Sequence, residues 1–161
     1  MTPTLVPMTE AEFSAYADEA VPAYAAEKVA AGQWAPDEAL ALSRRSLAEL
    51  LPQGLRTPDH HLYTVRDGEG VAVGVLWMAV QARAGVRIAY VYDVAIRAGH
   101  RRRGHAQRAF AALEEEARAL GLGGVALHVF GHNTAAQALY AALGYRPTNI
   151  NLYKPLAPAG G

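Results

Sequence analysis

The stretch that decides the fold is residues 92–113, which read YDVAIRAGHRRRGHAQRAFAAL. Its first five residues are mostly apolar, as expected for a buried strand, and its last ten repeat apolar side chains at the spacing of one helix face. The loop between them carries Arg101, Arg102 and Arg103 and ends at Gly104. The sequence therefore predicts a strand, a basic loop and a helix that begins near Gly104.

Positive charge is concentrated at this junction. Five arginines, two histidines and no acid lie between residues 94 and 113, although the whole chain carries 15 basic and 15 acidic residues. Free N–H groups and the positive dipole at a helix start attract anions, and neighbouring arginines add charge-assisted hydrogen bonds. The junction is therefore a candidate phosphate site. A solvated basic turn, or pairing of the arginines with the acids at 114–116, is the alternative.

Composition excludes several classes of protein. The 161 residues are 52% hydrophobic, which suits a single globular domain over residues 1–161. The absence of cysteine excludes a thiolate metal site and a cysteine nucleophile, and the histidine spacing fits no common metal site. Zero net charge argues against a nucleic-acid or membrane binder. We expect no metal, no nucleic acid and no membrane partner, and a cytoplasmic location because no signal peptide is apparent.

Local signals predict the other elements. Thr9 and Glu12 form a capping-box pattern, which predicts a helix up to about Gly32 that Pro22 should kink or interrupt. Further helices are predicted at residues 36–50, 104–120 and 133–143, and strands at 62–66, 71–80, 86–96, 125–130 and 150–153.

This order of elements predicts an α+β fold with a central mixed, mostly antiparallel sheet and helices on both faces. The helix at 104–120 connects the strands at 86–96 and 125–130. We therefore expect these two strands to be neighbours and parallel.

Two motifs give the chain a resemblance to a known family. Arg101-x-x-Gly104-x-Ala106 resembles the acyl-CoA pyrophosphate loop of the GCN5-related N-acetyltransferases, the GNAT family. Downstream, residues 133–145 resemble the second motif of that family, with Tyr140 at its tyrosine position. The resemblance covers residues 62–153.

The resemblance implies the GNAT fold, in which the two parallel strands splay apart. It implies a helical substrate-side segment at residues 9–52, an acetyl-CoA-binding core at 61–153 and a flexible tail at 155–161. It also implies acetyl-CoA as co-substrate and no metal.

The resemblance further implies which groups contact the cofactor. Backbone groups of the strand pair with the pantetheine arm, the basic loop holds the diphosphate, and the last helix contributes its cap residue and its tyrosine. The residues at these positions are Val94, Ala95, Ile96, Arg101, Arg102, Arg103, Gly104, His105, Ala106, Asn133 and Tyr140. Asn133 is also predicted to cap the last helix.

Three side chains are candidates for proton transfer. Tyr140 matches the family tyrosine that hydrogen-bonds the cofactor sulfur and acts as general acid when the thiolate leaves. A base is also needed, because an alkylamine with a pKa of about 10 is protonated at neutral pH. His128 and Asp93 are the two alternatives for that base. Strand alternation should place Tyr92, where many relatives carry an acid, on the opposite face from Asp93.

The expected activity is acetyl transfer to a primary amine of an acceptor that the sequence does not identify. Transfer should be direct, since no cysteine can carry the acetyl group. One alternative is a non-catalytic acyl-CoA-binding sensor or interaction module of the same fold. Another is a nucleic-acid partner for the arginines, whose binding would depend steeply on salt. A homodimer is left open.

Overall fold

A computed structural model describes residues 3–160 and shows a five-stranded mixed sheet with helices on both faces. The elements are β1 (Leu5–Pro7), α1 (Glu10–Ala30), α2 (Ala39–Leu50), β2 (His60–Arg66), β3 (Ala72–Arg83), β4 (Val86–Ile96), α3 (His105–Ala119), β5 (Val125–Leu127) and α4 (Thr134–Ala142). The strands lie in the order β1-β2-β3-β4-β5, and every pair is antiparallel except β4 with β5, which is parallel. The predicted α+β fold is confirmed.

The capping box at the start of α1 is confirmed. The Thr9 hydroxyl accepts a hydrogen bond from the Glu12 backbone N–H at 3.1 Å, and the Glu12 carboxylate accepts one from the Thr9 N–H at 3.0 Å. The other carboxylate oxygen of Glu12 accepts hydrogen bonds from Thr64 and Arg66 of β2, each at 3.0 Å. This one acid therefore both starts α1 and attaches it to the sheet.

Pro22 does not interrupt the helix as one of the two expected outcomes required, because α1 continues through it to Ala30. A proline inside a helix costs about 3 kcal/mol or more, through its missing N–H and a clash with the preceding turn. Here α2 packs beside this part of α1, and the buried Ser43 hydroxyl donates to the Val21 carbonyl at 2.7 Å. Tertiary packing therefore outweighs the local preference.

Several boundaries differ from the sequence prediction. α2 begins at Ala39, and residues 36–38 form a turn. β5 ends at Leu127 instead of continuing to residue 130, and the short β1 was not predicted. The strand expected at residues 150–153 is wrong, because this segment pairs with no strand among residues 3–160.

Each face of the sheet has its own hydrophobic core. On the α3 face, Phe110 and Leu113 are fully buried against Leu76 and other side chains of the sheet. On the α1 and α2 face, Tyr16 and Trp77 belong to a second cluster of buried side chains. The cluster that a β4 side chain contacts therefore shows whether that side chain lies on the α3 face or on the α1 and α2 face of the sheet.

Candidate active site

A β-bulge in β4 places Tyr92 and Asp93 on the same face of the sheet. Trp77 pairs with Asp93 and Met78 pairs with Val91, so Tyr92 is an extra residue in β4. Tyr92 stacks on Trp77 with ring centroids 4.7 Å apart, and Asp93 contacts α1 on that same side. The expectation that strand alternation separates Tyr92 from Asp93 is wrong, because the bulge interrupts the alternation.

Asp93 is held by a tyrosine from α1. The Tyr16 hydroxyl donates a 2.6 Å hydrogen bond to Oδ2 of Asp93. Burial raises the pKa of Asp93 above its usual range, while hydrogen bonds from Tyr16 and the Val94 amide act in the opposite direction. No lysine or arginine among residues 3–160 forms an ion pair with this carboxylate. A perturbed carboxyl group without a cation partner is typical of a functional site.

Tyr140 lies on α4, and its ring belongs to the cluster on the α3 face of the sheet. Its ring packs edge-on against Phe110, with centroids 5.5 Å apart. Burial raises the pKa of Tyr140, and the charge of Asp93 raises it further. The Tyr140 hydroxyl therefore stays protonated at neutral pH.

The parallel strands separate at the bulge. β4 and β5 pair only from Ala89 with Val125 to Val91 with Leu127. Beyond Val91, β4 continues to Ile96 with no neighbour on its β5 side in the described part of the chain. This separation produces the splayed pair that the family resemblance implied.

The separation of β4 from β5 leaves a cleft between the two strands. Alternate residues of β4 direct their backbone groups into this cleft. The Arg97 N–H donates to the Val73 carbonyl at 2.8 Å, so in antiparallel register the backbone groups of Ala95 also point to β3. Those of Val94 and Ile96 point into the cleft. Three strand residues were predicted to bind the cofactor arm. The backbone groups of Val94 and Ile96 point into the cleft, whereas those of Ala95 point to β3.

The loop before α3 has free backbone donors. The N–H groups of residues 101–107 donate to no acceptor within residues 3–160, and the first N–H bonded at the start of α3 is that of Arg108, to Gly104 at 3.1 Å. Arg102 and Gly104 have left-handed φ angles of 62° and 78°. Such alternation turns successive N–H groups toward one point and forms an anion-binding concavity.

The basic side chains around this loop have different roles. Arg101 donates to the Ile96 carbonyl at 3.1 Å, and Arg108 donates to the Arg103 carbonyl at 3.1 Å, so both hold the loop. His105 is buried and lies 2.6 Å from Arg108 through Nδ1. Burial and the charge of Arg108 lower the pKa of His105, so its neutral Nδ1 accepts this hydrogen bond. The His105 side chain is thus engaged within the protein.

Asn133 and His128 lie between β5 and the start of α4. Asn133 accepts a hydrogen bond from the Ala136 N–H at 3.1 Å, which confirms the predicted cap of α4. His128 is exposed and packs edge-on against Phe130, with ring centroids 4.8 Å apart. Within residues 3–160, His128 makes no hydrogen bond that would orient its ring.

Two contacts between α1 and the site could not be predicted from the sequence. Tyr16 and Asp93 are separated by 77 residues, so the sequence does not indicate their hydrogen bond. Glu27 pairs with His132 at 2.8 Å, which ties α1 to the loop before α4.

Residues 3–160 contain no group of three or more metal-ligating side chains. Among the same residues, no helix combines the length and apolar character of a membrane span.

The sequence and its relatives identify the class of protein. Residues 22–145 match the model of the Acetyltransferase (GNAT) family, and the chain belongs to this family. A Bacillus subtilis (strain 168) protein named Uncharacterized N-acetyltransferase YycN is 39% identical over 97% of this chain and 100% of its own length. A second protein from that strain, Uncharacterized N-acetyltransferase YdgE, is 34% identical over 95% of this chain and 98% of its own length.

Solved structures agree with this assignment. The crystal structure of YycN from Bacillus subtilis has a TM-score of 0.91 and 38% identity, covering 96% of this chain and 98% of that one. AAC(6')-Iy, solved with the bisubstrate analogue CoA-S-monomethyl-acetylneamine, has a TM-score of 0.62 and 17% identity over 96% of this chain and 97% of that one, and shows that the fold is shared. The predicted GNAT fold is confirmed, and the family uses acetyl-CoA.

Proposed function

We propose that this protein is an acetyl-CoA-dependent N-acetyltransferase that transfers the acetyl group directly to a primary amine. The observation that carries this proposal is the loop of free N–H groups at the start of α3, which follows the strand that carries Asp93. Bound acetyl-CoA would supply the acetyl group as a thioester.

The residues of the loop fit a diphosphate. The amides of residues 101–107 and the start of α3 provide directed donors, and Arg102 and Arg103 are exposed beside them. A Cβ atom at Gly104 would lie only 3.2 Å from the Arg108 guanidinium, so glycine keeps this surface open. Val94 would hold the pantetheine arm through its backbone groups. The Ile96 carbonyl already accepts from Arg101, so Ile96 would contribute its N–H, which would donate to the developing oxyanion.

We assign the base to Asp93. Tyr16 occupies Oδ2 and fixes the carboxylate, which leaves Oδ1 to accept a proton from the acceptor amine. A raised pKa makes this carboxylate a stronger base than an exposed one, provided that it is ionised at the working pH. His128 is the less suitable alternative, because it is exposed and has no orienting partner in the described part of the chain.

Tyr140 would donate a hydrogen bond to the leaving sulfur. Full proton transfer from a tyrosine of pKa about 10 to a thiolate of conjugate-acid pKa about 8.5 is uphill by roughly 2 kcal/mol. The raised pKa of Tyr140 makes full transfer still less favourable. We therefore expect its main contribution to be a hydrogen bond that stabilises developing negative charge.

A non-catalytic acyl-CoA-binding module would need the loop but neither Asp93 nor Tyr140, so the presence of both residues favours an enzyme. The acceptor is a small molecule or a protein amine, and its identity is open. The cytoplasmic location and the absence of nucleic-acid and membrane partners stay predictions.

The experiment is a thiol-release assay with a broad panel of amines, combined with mass detection of the acetylated product. Asp93→Asn keeps an oxygen acceptor for Tyr16 and should lower turnover by about 10²–10⁴-fold, as expected for loss of a general base. His128→Asn is the matched control and should change turnover little. Tight acetyl-CoA binding without release that depends on an amine would support the non-catalytic module instead.

A further inference from the structure

Aromatic side chains line the α1 and α2 face of the sheet beside Asp93. Tyr92, the extra residue of the β4 bulge, stacks on Trp77 with ring centroids 4.7 Å apart and on His60 with ring centroids 5.6 Å apart. The Gln81 side-chain amide donates to the Tyr92 hydroxyl at 3.0 Å, which fixes the ring. The bulge therefore holds an aromatic ring directly next to the carboxylate that we assign as the base.

The second face of the Tyr92 ring is turned toward β5. The ring centroids of Trp77 and His60 lie only 5.9 Å apart, so both rings lie on the same side of Tyr92, since rings on its opposite faces would be much farther apart. Trp77 belongs to β3 and His60 to β2, which continue the sheet on one side of β4. Tyr92 is only partly buried. Its other face therefore looks across the place where β4 and β5 separate.

β5 presents a small side chain to this side of Tyr92. Val125 and Leu127 pack against the cluster on the α3 face, so alternation places the Ala126 side chain on the face that carries Tyr92. Ala126 pairs with Tyr90, one pair before the two strands separate. A ligand group that stacks on Tyr92 would therefore lie over the Ala126 methyl group, at the mouth of the cleft.

The charges along this wall do not suit an acceptor with several positive charges. Tyr90 packs edge-on against Tyr92 with ring centroids 4.8 Å apart, and the Arg83 guanidinium lies 5.0 Å from the centre of the Tyr90 ring. Arg83 forms no ion pair within the described part of the chain. On α1, Glu27 is already paired with His132. A second ammonium group on the acceptor would meet this cation, whereas an uncharged ring would not be repelled.

We propose that the acceptor is an arylalkylamine, whose aromatic ring stacks on the β5-facing side of Tyr92 while its amine reaches Oδ1 of Asp93. Tyr92 and Asp93 are consecutive residues on one face of the sheet, so a ring and an amine joined by a short chain can meet both. The inference rests on the proposed acetyl transfer and adds the class of substrate. Tyr92 takes no part in proton transfer and determines specificity.

Binding of matched amines tests the stacking. With the protein saturated with coenzyme A, calorimetry should give phenethylamine an affinity about 2–10-fold higher than that of cyclohexylethylamine, the range expected for one aromatic pair. The two amines have the same chain and charge, and only the first has an aromatic ring. Putrescine, with two ammonium groups, should bind more weakly than phenethylamine. Equal or tighter binding of cyclohexylethylamine or putrescine would overturn the proposal.

Substitutions of Tyr92 test whether its ring is the determinant. Tyr92→Leu should abolish the preference for phenethylamine over cyclohexylethylamine, and Tyr92→Phe should keep it, because only the hydrogen bond from Gln81 is lost. Tyr153→Leu, at an 89% exposed tyrosine, is the matched control and should keep the preference. Retained acetyl-CoA binding would show that Tyr92→Leu is folded. A wild-type preference in Tyr92→Leu would contradict the stacking.

Ala126→Leu tests the position of the ring without changing Tyr92. The larger side chain would fill the space on the β5-facing side, so the affinity for phenethylamine should fall several-fold while acetyl-CoA still binds. Unchanged phenethylamine affinity in this variant would also overturn the proposal.

Thiol release measures the proposed function separately. Release that depends on an amine but shows no preference for aromatic amines would contradict only the class of substrate. Preferential binding of phenethylamine without any release would contradict acetyl transfer and leave the stacking site in place.

Discussion

Two tyrosines that lie five residues apart have hydroxyl groups in different surroundings. Burial raises the pKa of Tyr140, and the charge of Asp93 raises it further. The Tyr145 hydroxyl is buried and has no hydrogen-bond partner within residues 3–160, and burial raises its pKa to about 12. Both rings pack against Phe110, so removing either hydroxyl leaves the same aromatic cluster.

Tyr140→Phe should lower kcat by about 10²–10³-fold, the range for loss of one hydrogen-bond donor to developing negative charge. Affinity for acetyl-CoA should change only a few-fold, since the loop and β4 are intact. Tyr145→Phe is the matched control, with unchanged kcat and a free energy of unfolding that is equal or higher by about 1 kcal/mol, because a buried unpaired hydroxyl is removed. Equal turnover in wild type and Tyr140→Phe would refute the role of Tyr140.

Tyr16→Phe tests the positioning of Asp93 through the pH profile. The Tyr16 hydrogen bond lowers the pKa of Asp93, so its loss should raise that pKa. Because the base must be ionised, the acidic limb of kcat/KM should move to higher pH in Tyr16→Phe. Tyr63→Phe, at a buried tyrosine in the α3-side core, should leave the limb in place. If the acidic limb of kcat/KM lies at the same pH in wild type and Tyr16→Phe, Tyr16 does not influence the base.

At the scale of single residues, the sequence predicts what local chemistry determines. Asn133 as the cap of α4 and Gly104 before α3 are both recognisable from their spacing to the following helix. The hydrogen bond between Tyr16 and Asp93 is not, because it depends on the bulge and on how α1 packs over the sheet. Residue types and their spacing indicate neither the bulge in β4 nor the packing of α1 over the sheet.

Among the elements, the start of α3 has the strictest residue requirement, which is glycine at position 104. Gly104 has a left-handed φ of 78°, and a Cβ atom there would approach the Arg108 guanidinium that holds the loop. Gly68, in the turn between β2 and β3, has an ordinary φ, and a Cβ atom at that position would meet no atom of residues 3–160 within 4 Å. The two glycines are therefore a matched pair.

Gly104→Ala should lower the free energy of unfolding by about 1–2 kcal/mol, the cost of a left-handed conformation for an L-residue. It should also weaken acetyl-CoA binding, because the shifted guanidinium and loop amides no longer converge. Urea titration and calorimetry measure the two effects, and Gly68→Ala should change neither. Unchanged acetyl-CoA affinity in Gly104→Ala would argue against the loop as the binding site.

At the scale of elements, period and capping predict helices and strands whose partners are near in sequence. β4 matches its predicted bounds, while β5 is shorter because its pairing ends where β4 bulges. The apolar pattern of residues 150–153 is that of a strand, but a strand needs a partner, and none lies within residues 3–160. A pattern can predict the tendency to pair without identifying the neighbour.

For the whole molecule, the two faces of the sheet have separate tasks. The α3 face carries the loop and the core that holds it, and the other face brings α1 and Tyr16 over Asp93. The Glu27 and His132 pair connects α1 with the loop before α4. The cleft is therefore bounded by the elements of the α3 face and by α1, which belongs to the segment that we expect to contact the acceptor.

The most direct test of the account is a titration of ¹⁵N-labelled protein with acetyl-CoA, followed through its amide resonances. The account predicts saturable shifts for the amides of residues 101–107, because these N–H groups are free to donate to the ligand, and for Val94 and Ile96, because their backbone groups lie on the cleft edge of β4. The Gly68 amide, in the turn between β2 and β3, should stay in place. Saturable binding that leaves the amides of residues 101–107 unmoved would contradict the central claim that this loop holds the diphosphate.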